Sequence, residues 1–394
     1  MNLRQKIEQE IRERGPIPFS RYMELCLYDP DLGYYSRNAE QFGKAGDFYT
    51  SSDVHAVFGR LLARQFEEMW RALGSPAQIE ILELGPGRGL FAQDVLDWSE
   101  KKFPDFYRAL HYRLVETSPV LRKRLQATLE RHFAAGKTSL CSASLSLGEG
   151  TTSVVPDKAA LARSFAPEVP VIVFANEFFD ALPVEVLSPQ GELRISEKDG
   201  RLVETWNAAS PEGLEFLDRY SVHPEAGERI EASLIAQRFM SHIAATVRRG
   251  FIVAIDYGYT RQEQLAGRHR GTIATYRQHS ESANPYEAPG EQDITAHVNF
   301  TALAAAAEQG GMKVRPLLTQ SQFLLGIGEH NQFADAFEEC RLPQERAKVA
   351  LQLKHLITPT GMGESFHVFI ASKDIDTVHV SRLSGLMFGK TARP

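Results

Sequence analysis

Two stretches of this chain combine residue types that do chemistry with a spacing that brings them together. The first is Glu83-Leu84-Gly85-Pro86-Gly87-Arg88-Gly89, which follows an apolar run beginning at Ile79 and precedes an amphipathic segment from Leu90. Glycine lets a chain turn sharply off a strand and lets a ligand approach the backbone with no Cβ in the way. The spacing is G-x-G-x-G, not the G-x-G-x-x-G of dinucleotide sites, so no pyrophosphate need be accommodated. Glu116 ends the next strand-like stretch, 27 residues past Gly89. A carboxylate there can accept two hydrogen bonds from a ribose diol. The second stretch, Asn176-Glu177-Phe178-Phe179-Asp180-Ala181-Leu182-Pro183, follows the apolar run 169–175. Its carboxylate pair, Glu177 and Asp180, can hold a guanidinium in a charge-assisted pair. Acids at a helix N-terminus would also serve the macrodipole. Phe178 and Phe179 beside them suit a lined pocket.

These stretches need a scaffold, and the hydrophobic periodicity supplies one. Residues 3–14 read as a short helix with Leu3, Ile7 and Ile11 on one face, ended by Pro16 and Pro18. Strands are expected over 79–84, 112–116, 139–145, 169–175 and 250–258, with helices over 90–102 and 119–133. Residues 184–207 alternate as two or three antiparallel strands, and a helix covers 228–247. The polar segment 260–293 has little periodicity; loops that long are usually functional or mobile. An Ala-rich helix over 299–310, closing strands over 314–318 and 366–371, and a helical segment over 330–356 complete the pattern. Strands alternating with helices imply an α/β fold, with a mostly parallel sheet covered on both faces. Ligands then sit at the carboxyl ends of the strands. The expected organisation is an N-terminal helical segment and lid (1–75), a core with insertions at about 184–227 and 260–298 (76–375), and a C-terminal tail (376–394).

Composition narrows the function classes. The 394 residues are 43% hydrophobic and 24% charged, which excludes general disorder. Lys plus Arg is 44 against 50 Asp plus Glu, a net charge of −6, so the bulk charge offers no basic surface for nucleic acid. The three cysteines, Cys26, Cys141 and Cys340, form no C-x-x-C pair, which fits a reducing compartment and no cysteine-rich metal site. The first residues lack the apolar h-region of a signal peptide, and no run approaches the ~20 apolar residues that span a bilayer. A cytoplasmic protein with no metal is the expectation.

Further polar residues compete for a role. Asp293, His297 and Asn299 precede the 299–310 helix; a spacing of four would align Asp293 and His297 on one helical face, where a general base is conceivable. Equally, Asp293 or Thr295 would cap that helix. Asp256 and Tyr257 end a buried strand at the carboxyl edge and would line an acceptor pocket or shape a turn. There is no H-E-x-x-H pattern for a metal. The aromatics between 19 and 35 suit core or lid packing.

Glu83, the three glycines and Glu116 look like the adenosylmethionine site of a class I methyltransferase. GDFYTS (46–51), ELGPGRG (83–89), NEFFDALPV (176–184), DYGY (256–259), PGEQ (289–292), QDITAHVNF (292–300), FLLGIG (323–328) and MGESFHVF (362–369) add a wider likeness. Over residues 15–375 the chain resembles the S-adenosylmethionine-dependent methyltransferase family of the mitochondrial complex I assembly factors and their bacterial relatives (mitochondrial dysfunction protein A). The resemblance implies a Rossmann-like core with S-adenosyl-L-methionine as cofactor. It implies that Gly85, Gly87 and Gly89 touch the methionine end, Glu116 the ribose and Ser144-Leu145 the adenine. Asn176 and Glu177 would border the transferred methyl, and Gly46, Asp47, Thr50 and Ser51 would close over the cofactor. Asn176, Glu177 and Asp180 make the expected catalytic group; Phe178, Asp256, Tyr257 and His297 would meet the acceptor. Eukaryotic members resemble arginine N-methyltransferases that dimethylate a core subunit of respiratory NADH dehydrogenase, so a protein acceptor is implied. The alternatives are a small-molecule O- or N-methyltransferase, a non-catalytic assembly chaperone on a Rossmann core, and a nicotinamide oxidoreductase, against which the glycine spacing counts.

Overall fold

The computed structural model describes residues 1–37, 56–141, 169–277, 280–282 and 284–389. At its centre run strands β1 (Ile79–Leu84), β2 (Leu110–Val115), β3 (Thr138–Leu140), β4 (Val171–Asn176), β5 (Gly250–Tyr259) and β6 (Phe366–Lys373). Their order across the sheet is β6-β5-β4-β1-β2-β3, with the short strand Lys313–Val314 beyond β6. The five strands from β5 to β3 are parallel, and β6 runs antiparallel to β5. The chain moves outward from β1 through β2 and β3, then returns to the other side of β1 with β4 and β5. The order therefore reverses between β1 and β4, and a crevice opens there at the strand ends.

β4 is apolar through Ala175 and β5 from Phe251 through Ile255, because helices cover both faces. Successive side chains point to opposite sides: Ile172 and Phe174 join one core cluster, Val171, Val173 and Ala175 the other. The first face carries α3 (Val57–Ala72) and α4 (Leu90–Lys102), where Phe91 stacks on Phe174 at 4.4 Å. Burying a ring of that size contributes roughly 1.5–3 kcal/mol. The second face carries α6 (Leu234–Thr246) and α7 (Phe300–Gln309), through Phe239, Met240 and Leu303.

The alternation over 184–207 resolves into three antiparallel strands, Glu185–Ser188, Gly191–Lys198 and Arg201–Asn207. Strand Ile17–Pro18 pairs with the second of them, and α1 (Leu3–Arg14) and α2 (Phe19–Tyr28) share its core: Ile7, Phe19 and Tyr22 pack with Val186, Ile195 and Ile294. The N-terminal helices are thus welded to the inserted elements.

Four expectations change. The helix over 228–247 begins with strand Ile230–Ala232, held by pairing to Glu185–Ser188, and α6 starts only at Leu234. The polar 260–293 segment holds helix Arg261–Leu265, capped by Thr260 and Glu263, and strand Ala274–Arg277. Asp293–Thr295 is a strand paired with Ala274–Arg277, so Asp293 and His297 share no helical face; Asn299 caps α7 instead, accepting from Ala302 N–H at 3.0 Å. Residues past 376 fold back: Ser384 and Gly385 N–H groups donate to Glu68 and Gln65 of α3 at 2.8 and 2.9 Å. Among the described residues no helix is long and apolar enough to cross a membrane.

Candidate active site

The glycine turn after β1 is pressed against the turn after β4. Gly85 has φ +63°, and a Cβ there would stand 3.0 Å from Phe178 Cδ2, so both backbone and space call for glycine. Gly89, expected on the cofactor, does not line the cavity described below. It sits at φ +79° where α4 begins, and a Cβ would meet Leu125 and Leu129 at 3.2 and 3.3 Å. Its role is to let α4 start against α5 (Pro119–Thr128).

Two carboxyls flank this turn. Glu83, at the end of β1, accepts from Tyr112 OH at 2.9 Å, and burial pushes its pKa up to about 8. Glu116 follows β2. Its Oε1 accepts the Thr117 and Ser118 N–H groups at 2.8 and 2.9 Å. Burial pushes its pKa up to about 7, although these donors and the Gly87 N–H pull the other way.

Across the switch point, Glu177 leaves β4 at φ +48°, unusual for a residue with a side chain. Its N–H donates to Ile255 O of β5 at 2.9 Å, and its Oε1 accepts from Asn176 Nδ2 at 3.0 Å. Backbone strain of this kind persists only where neighbours over-determine it. The neighbour is Asp256. Oδ2 of that residue accepts the N–H groups of Phe178, Phe179 and Asp180 at 3.2, 3.0 and 3.3 Å, and Oδ1 accepts Tyr257 N–H at 3.0 Å. Asp256 was expected to meet the acceptor; it is buried beneath the turn and clamps it, because four backbone donors left in a dry interior need an acceptor. Asp180 itself is buried and accepts from Tyr257 OH at 2.5 Å through Oδ2. Burial pushes its pKa up to about 6, and its Oδ1 has no partner among the described residues.

The crevice is a cavity of about 650 Å3, of a size that suits a small-molecule site. It brings together Glu83, Gly85, Gly87 and Glu116 with Asn176, Glu177, Phe178, Asp180, Tyr257 and His297. Its walls also include residues outside the expected set: Tyr28 and Tyr35 from the N-terminal segment, and Arg268, His269, Glu364 and His367 from the far side. Tyr28 OH donates to Ala181 O at 2.9 Å and Tyr35 OH to Asp293 at 3.0 Å, which ties the N-terminal elements to the turn. The tyrosines had read as packing residues, and His269 sits in a segment with no periodicity to place it. Gly46, Asp47, Thr50, Ser51, Ser144 and Leu145 lie outside the described residues. No group of three or more His, Cys, Asp or Glu residues suited to a metal occurs among the described residues.

A family model for S-adenosyl-L-methionine-dependent methyltransferases matches residues 61–317. The chain belongs to that methyltransferase family. It is 29% identical to the Drosophila melanogaster protein arginine methyltransferase NDUFAF7 homolog, covering 97% of this chain and 87% of the relative. It is 29% identical to human protein arginine methyltransferase NDUFAF7, covering 91% and 81%. A Burkholderia thailandensis structure bound to S-adenosyl-homocysteine aligns with TM-score 0.77 and 28% identity, covering 96% of this chain and 94% of that one. The protein is a class I methyltransferase using S-adenosyl-L-methionine. The site suits that cofactor: a turn with no Cβ at Gly85 and Gly87, and the buried carboxyls of Glu83 and Glu116, fit a ligand carrying ammonium and sulfonium charges.

Proposed function

We propose that this methyltransferase acts on the guanidinium of a protein arginine. The observation that carries the reading is the pair Glu177 and Asp180 at the switch point, held by Asn176, Tyr257 and the Asp256 clamp. Carboxylates fixed in this way can take the edge of a guanidinium in two charge-assisted hydrogen bonds. Beyond this pair the cavity carries the acids Glu263, Glu364 and Asp293 beside the cations Arg88 and Arg268, and burial lowers the pKa of its His269, His297 and His367. The names of the relatives point to the same acceptor.

In this reading the Gly85 and Gly87 backbone holds the methionine end of the cofactor, with Glu83 beside it, and Glu116 takes the ribose diol. The cofactor supplies an already activated methyl group, so the protein's task is alignment at near-attack distance and exclusion of water. Glu177 and Asp180 orient the acceptor and draw positive charge toward its non-attacking nitrogens, Asn176 fixes the Glu177 carboxylate, and Phe178 and Tyr257 shape the pocket. The protein acceptor we favour is a subunit of the respiratory NADH dehydrogenase, met in a bacterial cytoplasm.

Replacing Glu177 with Gln should cut methyl transfer at least a hundredfold, while S-adenosyl-homocysteine binds as before by calorimetry. Loss of cofactor binding instead would refute the role. The acceptor is tested by radiolabelled methyl transfer into a lysate from a strain lacking the gene. Dimethylarginine in a labelled protein supports the reading, and label confined to small metabolites overturns it in favour of a small-molecule acceptor.

A further inference from the structure

Beyond Asp180 the cavity wall changes character. Tyr257, whose hydroxyl donates to Asp180, packs its ring edge-to-face on His297 at 5.3 Å and on Phe366 at 5.5 Å. His297 meets His269, with Nδ1 atoms 3.2 Å apart and centroids at 5.4 Å. His269 in turn stacks on Tyr259 at 5.2 Å with planes 16° apart. His367 from β6 packs against Phe300 at 5.6 Å. His269, His297 and His367 all line the cavity, and they come from an inserted segment, the approach to α7 and the antiparallel strand. Neither the glycine turn nor the carboxyls beside it draws on them.

An Nδ1–Nδ1 hydrogen bond needs one ring to donate and the other to accept, so at least one of the two imidazoles carries no charge. Burial lowers the pKa of all three, and mutual repulsion among them adds to it at His297, which is held at about 4. A wall of neutral rings contiguous with a buried carboxyl is a setting for a planar cation. The carboxylates meet its N–H edge, and the rings cover its face through cation–π contact and keep out water.

We propose that His269, His297 and His367 form the specificity wall for the methyl acceptor, with His297 lying against the face of a guanidinium whose edge is held by Glu177 and Asp180. The proposal rests on the arginine reading above. The test uses the full chain saturated with S-adenosyl-homocysteine and two probes, the capped tripeptides Gly-Arg-Gly and Gly-Lys-Gly, followed by calorimetry. The arginine peptide should bind more tightly than the lysine peptide. His297→Ala should weaken the arginine peptide about tenfold, as the loss of one desolvated cation–π face predicts. His297→Phe, which keeps a ring, should retain most of the affinity. S-adenosyl-homocysteine binding, unchanged in both variants, certifies the fold. If His297→Ala binds the arginine peptide like the wild type, or His297→Phe loses as much as His297→Ala, the wall proposal falls and the arginine reading stands. If the wild type binds S-adenosyl-homocysteine but not the arginine peptide, both fall.

Discussion

Cofactor binding should expel protons. Burial raises Glu83 to about 8 and Glu116 to about 7, each from an ordinary 4.5, so near pH 6 both carboxyls hold protons in the ligand-free protein. A bound cofactor brings ammonium and sulfonium charges and a ribose diol that donates hydrogen bonds. Both favour the ionised carboxylates. With both groups ionised in the complex, affinity gains about two decades per pH unit well below 7, about one between 7 and 8, and none above. Between pH 6 and 8 the gain is on the order of several hundredfold, or roughly 3–4 kcal/mol. Titrations of S-adenosylmethionine at pH 6, 7, 8 and 9 in buffers of different ionisation enthalpy count the protons directly, with about two released at pH 6 and none at pH 9. Glu83→Gln should remove one of them. The sign for folding follows from the same shifts: between about 4.5 and 8 the ligand-free folded protein binds more protons than the unfolded chain. Stability from these groups is therefore fully present below that window and is lost as pH rises through it. The thermal shift produced by the cofactor should accordingly grow with pH. An affinity that stays flat from pH 6 to 8 with no proton release would refute the reasoning.

The clamp and the glycine turn make separate predictions. Asp256→Asn keeps one oxygen acceptor and turns an N–H toward a backbone N–H, so at least one of four hydrogen bonds is lost; about 2–4 kcal/mol of stability should go with it. The shifted Glu177 and Asp180 should then cost about a hundredfold in methyl transfer, with S-adenosyl-homocysteine affinity within threefold of wild type; normal turnover in a urea-destabilised variant would sink the clamp. Gly89→Ala forces a left-handed alanine against Leu125 and Leu129 and should lower stability by about 2 kcal/mol in urea titrations. The folded fraction should still bind S-adenosyl-homocysteine, and loss of binding in a folded variant would place Gly89 on the cofactor after all.

Much of the core was legible because its signals are local. A continuous apolar run such as 171–175 reads as a doubly covered strand, and glycines after such a run announce a turn that tolerates positive φ. Errors fell where long-range pairing overrode local pattern. Ile230–Ala232 lies in a helical context by sequence, but an open edge at Glu185–Ser188 recruits it into a sheet. Asp293 and His297 have helical spacing, yet pairing with Ala274–Arg277 extends the chain there.

The same division runs through the site. From sequence alone came the glycine turn after β1, the carboxyl after β2 and the acidic turn after β4, since each is set by residue type and by its place at a strand end. Tertiary structure decided which carboxyl lines the cavity. Asp180 and Asp256 look alike in one dimension, and only the packing of β5 under the turn makes the second a clamp for four backbone donors. It also decided that Tyr28, Tyr35, His269, His297 and His367, spread over more than 300 positions, share one cavity. No periodicity encodes that gathering, because it depends on burial and hydrogen bonds between segments that meet only once the sheet has formed.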